Sequence, residues 1–247
     1  MKVIKDVSYG AASEQVLDVY IPDKDDFEVY VYFHGGGLEN GGKELAFVPK
    51  LAENVAVVSA DYRKYPTAKY PDFIEDAAAV VAWAKENMPR YGNVTGLYVG
   101  GSSAGAYLSQ MLCFDEKWLA KHNISNIDIS GYYHAAGQPT THFNVLKERG
   151  IDTRRVIVDE AAPMFYIDDT KTYPPMEIVV SDNDRENRYE QTMLLVSTLK
   201  HFGHDMTKIY LNVMENSNHC DYKGAVDENG RHIYADMIYD FIKRTRN

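Results

Sequence analysis

Seven short runs rich in β-branched and aromatic residues recur along the chain, and most are separated by segments of helical period. They are VLDVYI (16–21), VYVYF (29–33), VAVVSA (55–60), GLYVG (96–100), ISGYYHA (129–135), MEIVV (176–180) and KIYLNV (208–213). Several are apolar almost throughout, the pattern of strands covered on both faces. Between them, PDFIEDAAAVVAWAKEN puts Phe73, Ala77, Val80 and Ala84 on one helical face, with Pro71 and Asp72 at its start, where proline is tolerated and negative charge is favoured. Tyr189, Met193, Val196 and Leu199 repeat the period before Gly203, a helix stop, and Ile233, Met237, Ile238 and Phe241 repeat it near the end. Strand and helix alternate, so the expectation is an α/β fold. It has a mostly parallel central sheet, helices on both faces and right-handed crossovers, within one domain over 1–247.

One stretch interrupts the rhythm. Residues 138–175 hold Pro139, Pro163, Pro174 and Pro175 and are too long for an ordinary connection. At the C-terminal edge of a parallel sheet such an insertion overhangs the site, so a short partial lid is expected, the alternative being an excursion that merely covers the sheet.

Charge narrows the partners. Lys and Arg total 26 against 36 Asp and Glu, a net charge of −10, which disfavours an electrostatic grip on nucleic acid or anionic lipid and leaves a small molecule as the expected partner. The opening MKVIKDVSYG has no apolar core of signal-peptide type, and no run of 18 uncharged apolar residues occurs, so a soluble, cytoplasmic protein is expected. Cys113 and Cys220 alone suggest a reducing compartment, and their separation is not that of a metal site.

The chemistry is concentrated in YVGGSSAGAYLS (98–109). Gly101-Ser102-Ser103-Ala104-Gly105 matches G-x-S-x-G with Ser103 at its centre, while centring on Ser102 would need a glycine where Ala104 stands. A chain of this length matches the pattern by chance about one time in twelve. Here, however, it follows an apolar strand and opens a helix-compatible run, the setting in which a serine at a sharp strand-to-helix turn exposes its hydroxyl. A serine needs a base. Of eight histidines, His219 in ENSNHCDY, just after KIYLNV, is best placed, because loops at the C-terminal ends of parallel strands converge. An acid should orient that histidine, and VVSDNDRENR offers Asp182 and Asp184 on one loop. His34-Gly35-Gly36-Gly37 follows VYVYF, and a glycine run there can turn N–H groups toward a developing oxyanion, each such donor contributing about 3 kcal/mol.

HGGG (34–37), DYRKYPTAKYPDFIEDAAAVVAW (61–83), GGSSAGAYLS (100–109), PPMEIVVSDNDRE (174–186) and NSNH (216–219) stand in an order and spacing that resemble the α/β-hydrolase superfamily, and within it the hormone-sensitive-lipase-type and small carboxylesterases. The resemblance covers nearly the whole chain. It implies the α/β-hydrolase fold, Ser103 as nucleophile, His219 as base and Asp184 rather than Asp182 as acid. It also implies oxyanion donors at the N–H groups of Gly36, Gly37 and Ala104, with Asp61, Tyr62 and Arg63 buttressing the oxyanion loop. Two departures stand out. Only 33 residues precede HGGG, too few for the N-terminal helical cap of larger members, and Cys220 and Asp221 follow the histidine where the family usually has a glycine and an aromatic.

The expected activity is hydrolysis of short-chain carboxylic esters through a covalent acyl-serine, with no cofactor and no metal. A sugar-ester deacetylase or an arylformamidase would use the same triad, and a catalytically silent ligand-binding homologue would keep the fold alone. His34, Phe143, Phe165 and Tyr166 are the expected substrate contacts, since rings offer flat apolar faces. The family also suggests a homodimer through the last strand and helix, although a helix packed on its own sheet would read identically.

Overall fold

The structure is a computed structural model and describes residues 1–246. Eight strands form one sheet: β1 (Lys2–Ser8), β2 (Val16–Ile21), β3 (Asp26–Phe33), β4 (Ala56–Ala60), β5 (Asn93–Ser102), β6 (Gly131–Ala135), β7 (Met176–Asn183) and β8 (Ile209–Asn218), in the order β1-β2-β4-β3-β5-β6-β7-β8. From β4 to β8 every neighbouring pair is parallel, and β2 and β1 are added antiparallel. The expected fold class is therefore present, with one difference at the edge. Only four residues join β2 to β3, too few for a crossover, so the chain reverses there and β4 inserts between them.

Among the described residues seven α-helices complete the layers: α1 (Phe47–Leu51), α2 (Asp72–Asn87), α3 (Ala104–Phe114), α4 (Lys117–Ala120), α5 (Phe143–Glu148), α6 (Arg188–His201) and α7 (Ile233–Thr245). Strand side chains alternate between two cores. Val29, Val31 and Phe33 of β3 pack with α2, α3 and α6, while Tyr30 and Tyr32 pack on the other face with Phe47 of α1 and Tyr234, Ile238 and Phe241 of α7. Full burial of each such side chain contributes roughly 1.5–3 kcal/mol, so a one-residue slip of β3 would exchange both cores at once. Many of the 19 tyrosines are thereby accounted for: Tyr30, Tyr32, Tyr98, Tyr133 and Tyr234 are core. No helix among the described residues is long and apolar enough to cross a membrane.

Parallel pairing brings six strand ends to one edge, and the register sets neighbours there. Phe33 lies opposite Gly101, Ser102 opposite Ala135, and Asn183 opposite Asn218. The residues that follow, His34, Ser103, Asp184 and His219, consequently emerge side by side.

The loop after β4 is tied to α2 by a buried ion pair. Arg63 donates through Nε and Nη2 to the Asp76 carboxylate at 2.9 and 2.6 Å, the Arg63 backbone N–H adds a 2.9 Å bond, and Gln15 Nε2 a fourth at 2.7 Å. Asp76 is 1% exposed and Arg63 30%, so removing the carboxylate leaves a largely buried guanidinium with only the more distant Asp72, at 3.8 Å. Asp76→Ala is expected to destabilise the fold by about 3 kcal/mol, lowering Tm by roughly 6–12 °C in thermal denaturation. An unchanged Tm would show that the pair does not hold this loop.

Candidate active site

Ser103 stands between β5 and α3 at φ 55°, ψ −115°, a conformation that costs on the order of 1–3 kcal/mol. Two features sustain it. Its N–H donates to Ala135 O at 2.7 Å and its carbonyl accepts from Tyr107 N at 3.0 Å. Strand and helix also approach so closely that a Cβ on Gly101 would overlap the Gly105 carbonyl, and one on Gly105 the Phe33 carbonyl. The glycines two residues either side of Ser103 are thus demanded by close packing. Ser102 is fully buried, and its hydroxyl shares a 2.7 Å hydrogen bond with Tyr32 OH, so of the two serines only Ser103 reaches the histidine.

His219 Nε2 lies 2.8 Å from Ser103 Oγ, and His219 Nδ1 lies 2.6 Å from Asp184 Oδ1. A carboxylate only accepts, which places the imidazole proton on Nδ1 and leaves the Nε2 lone pair facing the hydroxyl. The Asp184 side chain is fully buried and that of His219 is 16% exposed. Burial alone would raise the Asp184 carboxyl, but the bond and charge of His219 and the Arg185 N–H outweigh it, so the group stays below the usual carboxylate range. Burial likewise pulls His219 down, and the bond and charge of Asp184, with a contribution from the adjacent Cys220 side chain, overcome this and raise it above its ordinary value.

Asp182 is exposed and does different work. It accepts from the N–H groups of Asn216 and Ser217 at 2.8 and 3.1 Å, stapling the histidine loop to the acid loop. Cys220 has φ 63°, the left-handed conformation that a glycine would adopt freely, and Asp221 accepts from Asn218 N and Nδ2 at 3.1 and 2.8 Å. Both departures after the histidine therefore maintain the loop's shape.

The glycine run passes over the serine, for a Cβ on Gly35 would sit 3.2 Å from Ser103 Cβ. Gly36 and Gly37 have φ of 127° and 66°, and the Gly36 carbonyl accepts from Glu39 N and Asn40 N, which closes the turn. Among the described residues the N–H groups of Gly36, Gly37 and Ala104 have no acceptor, and Ala104 is the first residue of α3, where helical N–H groups are free. All three candidate donors thus belong to segments that adjoin Ser103, the glycine run and the first turn of α3.

Of the expected substrate contacts, only Phe143 is at the mouth: its ring edge lies 3.0 Å from where a Gly37 Cβ would be. His34 is a correction. It is 1% exposed, bonded through Nδ1 to Gly35 O at 2.6 Å, stacked on Tyr62, and 3.3 Å through Nε2 from Asp61. It supports the loop from beneath, with Tyr62 OH donating to its carbonyl at 2.9 Å and Lys43 N donating to Asp61 Oδ1 at 2.9 Å. Phe165 and Tyr166 are corrected as well. The 138–175 segment begins beside the site, then travels along α3: Tyr107, one turn into that helix, donates to Ala161 O, and Lys117, beyond its far end, donates to Tyr166 OH at 3.2 Å. Phe165 is 54% exposed there. Only the first part of the insertion flanks the site, and the rest covers the helix layer.

Beside Phe143 a cleft of about 390 Å³ opens, lined among others by Gln138, Arg154, Arg155, Arg185 and Arg188. Two of these arginines, Arg185 and Arg188, stand in the acid loop DNDRENR, but nothing in the local sequence brings them to Gln138, Arg154 and Arg155. Among the described residues no three or more His, Cys, Asp or Glu side chains cluster as metal ligands.

The family described as the alpha/beta hydrolase fold matches residues 30–223. A carboxylesterase of Mycobacterium tuberculosis, NlhH, is 34% identical over 113 residues, 43% of this chain and 35% of that protein. A kynurenine formamidase of Danio rerio is 30% identical over 116 residues, 45% of this chain and 39% of its own length. These matches span well under half of either relative. A solved truncated carbohydrate esterase from gut microbiota superposes over 100% of this chain and 97% of its own with a TM-score of 0.78 at 16% identity. With four-fifths of its length matched by the family, the chain belongs to the alpha/beta-hydrolase fold family.

Proposed function

We propose that the protein is a serine hydrolase that cleaves short-chain carboxylic esters, with Ser103 as nucleophile, His219 as general base and acid, and Asp184 as the group that orients it. The observation that carries this reading is the continuous relay from the buried Asp184 carboxylate through His219 to Ser103, at 2.6 and 2.8 Å. The Ser103 oxygen attacks the ester carbon while His219 Nε2 takes its proton. The carbonyl oxygen becomes an oxyanion beside the N–H groups of Gly36, Gly37 and Ala104. Collapse breaks the ester C–O bond, His219 gives its proton to the leaving alcohol, and an acyl-Ser103 remains. Water then repeats the sequence, deprotonated by His219, and releases the acid. The carboxylesterase relative supports ester cleavage, and the formamidase relative makes an N-formyl amide a second substrate for the same relay. Comparing short acyl esters with N-formylkynurenine separates the two.

Replacing Ser103 with Ala is expected to lower kcat for p-nitrophenyl acetate by roughly 10⁴–10⁶-fold. Ser102→Ala, which leaves Tyr32 without its partner, should weaken stability by about 1–3 kcal/mol and retain turnover within about tenfold. The reverse pattern would identify Ser102 as the nucleophile.

The free enzyme needs neutral His219, whose pKa lies above its ordinary 6.5. A raised pKa moves protonation to higher pH, so kcat/KM should fall as pH decreases, with a midpoint above 6.5, while Asp184, shifted the other way, stays ionised throughout. A pH profile of p-nitrophenyl acetate hydrolysis checks this, and a midpoint at or below 6.5 counts against the Asp184–His219 coupling.

A further inference from the structure

We propose that the cleft beside Phe143 recognises a carboxylate carried by the substrate, with Arg155, Arg185 and Arg188 as the residues that determine this specificity. The inference rests on the reading of Ser103 as the nucleophile and names the class of ester it attacks.

The chain carries a net charge of −10, yet four guanidiniums line this one cleft. Their pairing is unusual for the molecule. Of the six arginines outside the cleft, five, Arg63, Arg149, Arg231, Arg244 and Arg246, have a carboxylate within 4.0 Å, and among the described residues Arg90 alone of these has none. In the cleft only Arg154 does, held by Asp152 at 2.6 Å. Among the described residues no carboxylate lies within that distance of Arg155, Arg185 or Arg188. Glu186 is the single acidic residue in the lining, so positive charge remains in excess.

Arg188 carries most of the argument. It is 5% exposed, and a buried guanidinium without a counter-ion is costly. Its protein partners are neutral oxygens, Ala136 O to Nη1 at 2.6 Å and Gln138 Oε1 to Nη2 at 3.2 Å, which use two of its five donors. Asp184, whose negative charge acts on Arg188, is engaged by His219. Burial pulls the guanidinium down to about 10, still charged at neutral pH. The positive field reaches further: after burial itself, Arg188 and Arg185 help hold the imidazole of His142 well below its usual range.

The cleft is also placed for substrate. Phe143 separates it from Gly37, and the Arg185 guanidinium stands 6.0 Å from the centre of the Phe143 ring, which positions it at the rim. A planar carboxylate accepts two parallel bonds from a guanidinium fork. An ester with a flat or apolar spacer between its reacting carbonyl and a terminal carboxylate fits this order of groups: oxyanion loop, ring, arginines.

Two matched pairs test the proposal: para-acetoxybenzoate against neutral para-acetoxybenzamide, and phenyl hydrogen adipate against its methyl ester. In at least one pair the anionic member should have the higher kcat/KM, by about tenfold or more, and Arg155→Gln combined with Arg185→Gln should bring that ratio toward one, mainly through KM. Both side chains are exposed, so the substitutions do not burden folding. Binding of para-hydroxybenzoate and of adipate, followed by calorimetry without any turnover, should weaken in the same variant and in high salt. Equal or faster hydrolysis of both neutral members, or a preference that survives both the double substitution and Arg188→Gln, overturns the proposal. Carboxylate binding with no hydrolysis of any of the four esters overturns the esterase reading instead and leaves the cleft's role standing.

Discussion

Everything at the sheet's C-terminal edge depends on the strained Ser103 backbone. At φ 55° and ψ −115° the residue is neither strand nor helix, and it holds only because β5 and α3 are pressed together through Gly101 and Gly105 on one side and Ala135 accepts its N–H on the other. The strain is local, while the packing that opposes it is spread through two cores. Phe33, whose carbonyl touches Gly105, is itself anchored in the face covered by α2 and α3. The exposed hydroxyl is therefore a consequence of sheet packing, and the free N–H of Ala104 is a consequence of where the helix begins.

The three remaining parts of the site are held by short-range polar ties as well as by burial. Asp182 joins the acid loop to the histidine loop, Asp221 closes the histidine loop on Asn218, and Asp61 with Tyr62 holds His34 under the glycine run. Each carboxylate serves a backbone or ring geometry, and none competes with Asp184 for His219. In the neighbouring cleft, by contrast, Arg154 alone of the four arginines has a carboxylate within 4.0 Å among the described residues.

Much of this was legible in the sequence, for identifiable reasons. The six interior strands announce themselves because covering both faces forces near-continuous apolar runs, the edge strand β8 because KIYLNV is still rich in β-branched and aromatic residues, and α2 and α7 because they are long enough to show a period. Strand β1, KVIKDVS, was overlooked: it is an edge strand, largely exposed, and carries no such run. Helices α1, α4 and α5 have five, four and six residues, too short for any periodicity to register. Ser103, His219 and the glycine run could be placed because parallel topology fixes which loops converge. Asp184 over Asp182 needed the family pattern, since only the three-dimensional register shows which carboxyl turns inward. His34, Phe165 and Tyr166 were chosen for their chemistry alone, and chemistry does not say on which side of a loop a ring lies, or that an insertion leaves the site after its first turns. The arginine cleft joins residues 138 to 191 from three segments, a proximity with no local signature.

The central claim, that Ser103 is a nucleophile activated by His219, is tested most directly by a fluorophosphonate probe, which phosphonylates an activated serine and mimics the tetrahedral intermediate. Labelling of the folded protein followed by peptide mapping should place a single adduct on Ser103, with labelling suppressed at pH values where His219 is protonated and abolished by His219→Ala. No adduct on the folded protein, or an adduct on any other residue, would contradict it.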